Sequence, residues 1–186
     1  MNTRREWSAV DSWRVFLEGD RQALESLVRA YSDGLVRFAY CYIEDSAAAE
    51  DIMEEAFAVL VCKRKRFDES DNLRAYLYKM VRNKCIDYLR VHKKIVPLSD
   101  TERVCVGSAE SDLLFRENNR TLYRCMQQLP KQYREILYLA YFEDYGAEEI
   151  SRILKYSKKQ IYNLLSRART SLKELLIKEG FSYEDL

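Results

Sequence analysis

The chain has 186 residues, 47% hydrophobic and 33% charged, with five glycines, two prolines and a formal net charge of +1. This is a globular composition, long enough for one domain or two small ones, and so little turn chemistry beside so much Leu, Ala, Glu, Lys and Arg predicts an all-α protein. The near-zero total hides an acidic run at 50–55 and basic stretches at 63–66, 79–94 and 152–173. Any nucleic-acid binding must then be confined to patches, leaving acidic surface for a different partner.

Five cysteines (41, 62, 85, 105 and 125) are odd in number and widely spaced, with no CxxC pair, and His92 is the single histidine. Reduced thiols of a cytoplasmic protein are expected rather than a disulfide framework, and no metal site is expected. The first residues lack the apolar core of a signal peptide, and the longest apolar run, at 56–62, is far too short for membrane insertion.

In chain order, Trp13, Phe16 and Leu17 predict a short leading helix that Gly19 and Asp20 close. Asp20 reads as the N-cap of the next helix, which carries Ala23, Leu24, Leu27, Val28 and Tyr31. Gly34 is read as a bend, after which Leu35, Phe38, Ala39 and Tyr42 continue at helical spacing. A helix from about 47 to 66 buries Ile52, Met53, Ala56, Phe57, Val59 and Leu60 and leaves Glu50, Asp51, Glu54 and Glu55 outside. Acidic residues in its first turn suit the positive helix end, which accounts for Glu50 and Asp51. Glu54 and Glu55 lie further in, so this face reads as a protein-docking surface.

Residues 67–72 form a polar loop, and 73–91 follow as a helix. Leu73, Leu77, Met80, Val81, Cys85 and Tyr88 make its apolar stripe, and Lys79, Arg82, Asn83, Asp87 and Arg90 its other side. Cationic and amide side chains at this spacing suit one nucleic-acid strand, and Phe67, Tyr76 and Tyr78 are candidates to stack on unpaired bases. An aromatic core with solvated charges explains the same residues equally well.

Periodicity fails from 92 to 111, which contains Pro97 and Gly107 and reads as a flexible linker. It returns with Leu122, Cys125, Met126 and Leu129; then Pro130 opens a helix holding Tyr133, Ile136, Leu137 and Ala140, which stops near Gly146. Ile150, Ile153 and Leu154 form one stripe; Ile161, Leu164, Leu165, Ala168 and Leu172 form another after a short turn. Ser157 is placed to N-cap the second helix, whose opposite face carries Lys158, Lys159, Tyr162, Asn163, Ser166, Arg167 and Arg169. Two short helices with a cationic, hydrogen-bonding outer face on the second describe a helix-turn-helix whose recognition helix enters a DNA major groove. Lys155 stands in the turn where glycine would be the unstrained choice for a left-handed residue. A plain helical hairpin with a solvated face is the competing reading. Residues 181–186 read as an acidic tail.

Asp20-Arg-Gln-Ala-Leu24, Leu35-Val-Arg-Phe-Ala39, Ala49-Glu-Asp-Ile-Met-Glu-Glu-Ala-Phe57, the whole 73–90 segment and Leu129-Pro-Lys-Gln-Tyr-Arg-Glu-Ile-Leu137, ahead of the helix-turn-helix, together resemble a bacterial RNA polymerase sigma factor of the extracytoplasmic-function (ECF) group. The resemblance covers nearly the whole chain, in order. It implies a region 2-like domain at 1–92, a linker at 93–111 and a region 4-like domain at 112–186, serving a transcription initiation factor. It further implies that Asp51, Glu54 and Glu55 meet the clamp helices of the largest polymerase subunit. By the same resemblance, Phe67, Asn72, Tyr76, Lys79, Arg82, Asn83 and Arg90 read and hold the unpaired −10 strand, and 158–169 reads the −35 duplex.

Core RNA polymerase and promoter DNA are the implied partners, an anti-sigma factor is a further candidate, and neither catalysis nor a cofactor is expected of the chain. Three positions depart from the family pattern: Glu54 stands where Gln is usual, Val61 where Trp is common, and Tyr162-Asn163-Leu164 replaces a more cationic run. A stand-alone helix-turn-helix regulator is the alternative. It gives the two helices between 47 and 91 no task, and an acidic-cluster hydrolase built on 50–55 lacks any neighbouring histidine.

Overall fold

The computed structural model describes residues 9–43, 45–64, 66–67, 72–95 and 120–180. Four helices come first: α1 (Ala9–Leu17), α2 (Arg21–Ile43), α3 (Ser46–Lys63) and α4 (Leu73–Ile95). Four follow: α5 (Arg120–Gln127), α6 (Lys131–Leu137) continuing into a π-helical turn (Tyr138–Phe142), α7 (Ala147–Leu154) and α8 (Lys158–Lys178). No strand occurs among the described residues, and none of the helices is long and apolar enough to cross a membrane.

The helix starts are set by short polar side chains that take up N–H groups lacking a partner in the first turn. Asp20 accepts from the Gln22 N–H at 2.8 Å, Asp45 from Ala48 at 3.0 Å and Asn72 from Ala75 at 2.8 Å. Helix α3 ends three residues short of the expected position because Arg64 turns left-handed (φ 44°) and donates its N–H to Leu60 O.

The first four helices pack around Trp13, Leu27, Leu35, Phe38, Leu60 and Leu77, each no more than 1% exposed. The second four close over Ile136, Leu139, Ile150, Ile153, Ile161 and Ala168, equally buried. At roughly 1.5–3 kcal/mol for each large aliphatic side chain removed from water, these stripes are what hold the short helices in place. Both sets belong to one continuous apolar cluster, joined where α4 meets α7 and α2 meets α6. Phe38 lies 5.9 Å from Tyr138 and Tyr78 lies 5.6 Å from Tyr145, ring centre to ring centre, so aromatic rings interleave across the seam. The ring of Tyr42 also carries Lys131 at 4.2 Å.

One expectation is corrected here, and one reading left open is decided. Gly34 is not a bend: α2 runs unbroken through it, and the position is a close approach. A Cβ there would come within 2.5 Å of the Tyr78 hydroxyl oxygen and 2.9 Å of Glu143 Oε1. Tyr78 is not available to bases, because only 1% of it is exposed and its ring stacks edge-on against Phe38 and Tyr145.

The thiols differ in burial, and Cys62 departs from the expectation of buried cysteines. Cys85 and Cys125 are buried, Cys41 is half-buried and Cys62 is exposed, none of these four in a disulfide, while Cys105 lies outside the described residues. Burial pushes the Cys85 thiol up to about 12, which makes it a packing group without thiolate reactivity. Most of the expected linker, together with the acidic tail and residues 68–71 of the polar loop, lies outside the described residues.

Candidate nucleic-acid interface

The helix-turn-helix is built by α7 and α8 around a turn secured from both sides. Lys155 adopts the left-handed conformation (φ 60°, ψ 35°) and donates its N–H to Ser151 O at 2.9 Å. The Ser151 hydroxyl donates to Tyr156 O at 2.6 Å. Ser157 then caps α8 reciprocally: its hydroxyl accepts the Gln160 N–H at 3.3 Å, and Gln160 Oε1 accepts the Ser157 N–H at 2.8 Å. The turn is thus left-handed without a glycine, and neighbouring hydrogen bonds carry the strain.

From this cap α8 runs with Ile161, Leu165 and Ala168 buried. Lys158, Lys159, Tyr162, Asn163, Ser166, Arg167 and Arg169 are all exposed, so the seven residues expected on the DNA-facing side share one open surface. Tyr162 is 64% exposed, so its ring is presented on this open surface. Lys158 pairs with Glu148 at 3.0 Å, and Arg152 pairs with the same carboxylate at 3.1 Å. The Lys158 hydrogen bond holds the Glu148 carboxyl below its ordinary value. Arg169 lies 5.4 Å from the Tyr141 ring, which turns it toward the end of the π-helical turn.

The front of α4 is arranged differently. Asn83 and Arg90 are exposed, the latter paired with Asp87 at 3.1 Å, and Lys79 is half-buried. Phe67 and Tyr76 pack edge to face at 5.2 Å, both half-buried, so a base reaching either ring would meet a preformed aromatic pair. Arg82 points into the seam, its side chain only 14% exposed and its Nε 3.9 Å from Glu135 Oε2. Asn72 donates to Glu149 Oε1 at 2.7 Å. Two of the seven expected −10 residues are therefore engaged by the second half of the chain, an arrangement that the periodicity of α4 does not reveal.

On α3, Asp51, Glu54 and Glu55 are all exposed. Glu55 is paired with Lys84 of α4 at 2.6 Å, so the acidic face is partly neutralised from the neighbouring helix. Among the described residues no group of three His, Cys, Asp or Glu is placed to hold a metal ion.

Sequence reasoning missed the seam itself: Arg74 with Glu143, Tyr138 with Gly34, and Glu135 beneath Arg82. Glu135 is 3% exposed, and its burial outweighs the nearby Tyr42, Lys131, Arg82 and Arg134, raising its carboxyl above the ordinary value. The available signal was a pair of charged residues, Arg134 and Glu135, placed directly before the apolar run 136–142, where a solvated face has no room.

Comparison with known proteins agrees with this geometry. Residues 27–95 match the family described as Sigma-70 region 2, and residues 119–172 match Sigma-70, region 4. The ECF RNA polymerase sigma factor SigM of Bacillus subtilis (strain 168) is 31% identical over 157 residues, covering 82% of this chain and 94% of that protein. The RNA polymerase sigma factor SigV of the same organism is 24% identical over 159 residues, covering 86% and 94%.

Among solved structures, the sigma factor RpoE in complex with the anti-sigma factor NepR from Bartonella quintana has the same fold, with a TM-score of 0.67 at 23% identity over 83% of this chain and 97% of that one. CnrH in complex with the cytosolic domain of CnrY gives 0.68 at 19% identity, over 92% and 99%. The helical order, the open recognition helix and these matches place the chain in the sigma-70 family, as a member of its extracytoplasmic-function (ECF) group.

Proposed function

We propose that this chain is a transcription initiation factor that binds core RNA polymerase and directs it to promoters by reading −10 and −35 elements. The observation that carries the reading is the open front of α8, seven polar or cationic side chains on a capped helix, within a chain of the sigma-70 family. Lys159, Arg167 and Arg169 hold phosphates and set register; Lys158, Tyr162, Asn163 and Ser166 meet base edges in the −35 major groove. On α4, Lys79, Arg82 and Arg90 hold the backbone of the −10 strand, while Asn72, Asn83 and the Phe67–Tyr76 pair take its unpaired bases. Each stacked base is worth roughly 1–3 kcal/mol, which favours the melted state once bases have left the duplex. Asp51, Glu54 and Glu55 form the polymerase-docking face.

The working units are 1–92, a tether at 93–111 and 112–186. The chain performs no chemistry of its own, works in the cytoplasm, and takes an anti-sigma factor as a further partner. That last assignment is supported by a solved structural neighbour that is bound to one.

Run-off transcription with purified core polymerase on a random-promoter library tests the reading. Enrichment of paired −35 and −10 elements is expected, weakening steeply with salt as counterions are released. Failure to stimulate core polymerase, together with strong footprinting of duplex DNA by the protein alone, would show a stand-alone regulator instead.

A further inference from the structure

The second domain carries an apolar groove that its own helices leave open. Met126 of α5, Phe142 of the π-helical turn, and Leu172 and Leu176 of α8 line a space of about 470 Å³, of the size that takes a small apolar ligand. Its rim holds Tyr141, 55% exposed, and two exposed cations, Lys173 and Arg169. No carboxylate is among the described residues of the lining. The groove therefore suits an aromatic anion.

The end of α8 aims the chain back at this groove. Gly180 is left-handed (φ 89°) and donates its N–H to Ile177 O at 3.1 Å. That bond and that conformation are those of a Schellman cap, in which the residue after the glycine makes an apolar contact with the third or fourth residue from the helix end. After Gly180 comes Phe181, and the two positions are Leu176 and Leu175, the first of which lines the groove. Residues 181–186 read Phe-Ser-Tyr-Glu-Asp-Leu, with two rings, two carboxylates and no cation. The spacing also matches: Phe181 to Glu184 spans about 10 Å of extended chain, and Leu176 back to Arg169 spans about 10 Å of helix, with Lys173 between.

We infer that the groove is the docking site of this chain's own residues 181–186: Phe181 seats over Leu176, Glu184 and Asp185 pair with Arg169 and Lys173, and the segment is an internal occupant that any external apolar ligand has to displace. A tether this short gives the segment a high effective concentration at the groove, so a contact too weak to hold a free peptide is still populated. Burial of the Phe181 ring supplies most of the affinity, while exposed ion pairs add little and set the direction of the segment. An external ligand then binds with an affinity reduced by the fraction of chains whose groove is empty. The inference needs neither promoter nor polymerase, so it stands or falls apart from the proposed function.

Anilinonaphthalenesulfonate, an aromatic anion that reports exposed apolar surface by fluorescence, is the probe. In the full chain, Phe181→Ser should lower its Kd about fivefold or more. Glu184→Gln combined with Asp185→Asn should lower it by less, and high salt should abolish that difference from wild type. A synthetic peptide of residues 181–186 should reverse the gain in the Phe181→Ser chain, and the same peptide carrying serine in place of Phe181 should not. Hydrogen exchange read by mass spectrometry should quicken in Phe181→Ser at α5 and the second half of α8 alone.

Equal probe affinity for wild type and Phe181→Ser, or no competition by the peptide, would overturn the docking. If exchange quickens throughout Phe181→Ser, or circular dichroism shows it unfolded, the chain with Glu184→Gln and Asp185→Asn decides alone. A Kd unchanged from wild type at low salt then overturns the docking, and a lowered Kd that salt restores upholds it.

Discussion

Helices α4 and α8 carry the same kind of surface, cationic and amide side chains opposite an apolar stripe, yet the fold treats them in opposite ways. Every proposed contact on α8 faces solvent, whereas Asn72, at the start of α4, donates to the Glu149 carboxylate of the second domain and Arg82, on α4, is turned toward that of Glu135. The difference comes from what each stripe packs against. The α8 stripe is covered by its own domain, chiefly α6 and α7, which leaves the opposite face open. Helix α4 is packed by α2 and α3 and again by α7, so part of its polar side is enclosed as well. Amphipathic pattern specifies that a helix has a buried face, and tertiary context decides how much of the other face stays free.

The largest effects should separate the two fronts by function. Arg167→Ala is expected to lower −35-dependent run-off by about ten- to a hundredfold, the equivalent of roughly 1–3 kcal/mol, while pull-down of core polymerase stays intact. Loss of pull-down would mean that Arg167 belongs to a protein interface. Asn83→Ala on the α4 front should impair open-complex formation, read by permanganate, more than closed binding, read by gel shift. Equal losses in the two assays would remove Asn83 from the strand-holding set.

Next in size is the acidic face of α3. Glu55→Lys and Glu54→Lys should each weaken co-elution with core polymerase, since each replaces attraction by repulsion. The two should differ in stability, because Glu55→Lys also sets a lysine against Lys84, whose side chain is 19% exposed. A lower melting temperature for Glu55→Lys alone, with reduced co-elution for both, is the expected pattern. Unchanged co-elution of both variants would discard the docking face.

Around 1 kcal/mol should come from the turn that aims the open front. Ser157→Ala removes the α8 cap and is expected to cost about 1 kcal/mol. Lys155→Gly relieves a left-handed side chain and is expected to stabilise by up to about 1 kcal/mol, net of the extra freedom glycine gives the unfolded chain. Urea melts of the full chain measure both. A Lys155→Gly variant less stable than wild type would mean that the lysine side chain supports the turn by a contact of its own.

How much of this was legible in the sequence follows from what each feature depends on. The α8 stripe, the Ser157 cap and the exposed set from Lys158 to Arg169 are local properties of helical periodicity, and they read correctly. Gly34 was misread because glycine in a helix marks either a bend or a close neighbour, and only the position of Tyr78 and Glu143 chooses between them. Tyr78 stayed open between two readings because an aromatic beside an apolar stripe has the same signature whether it packs in a core or stacks on a base, and its burial decides for the core. The π-helical turn that brings Tyr138 and Glu143 to the seam adds a residue to the helical repeat. A stripe read at ordinary helical spacing passes over it.

The smallest effect tests the enclosed front from the inside. Glu135 has its carboxyl raised above the ordinary value of 4.5, chiefly by burial, and that shift already includes the opposing pull of Tyr42, Lys131, Arg82 and Arg134. Below 4.5 the group is protonated in both folded and unfolded chains and makes no difference. As pH rises from 4.5 through the folded value, the unfolded chain releases its proton first, so the contribution of Glu135 to stability falls and stays lower above that window. Glu135→Gln keeps the shape and abolishes this titration. Relative to wild type, the variant should gain thermal stability near neutral pH and lose that advantage below 4.5, with every other titrating group common to both chains. A variant less stable than wild type at neutral pH would show that the ionised carboxylate, through Arg82 and Lys131, supports the seam more than its burial opposes it.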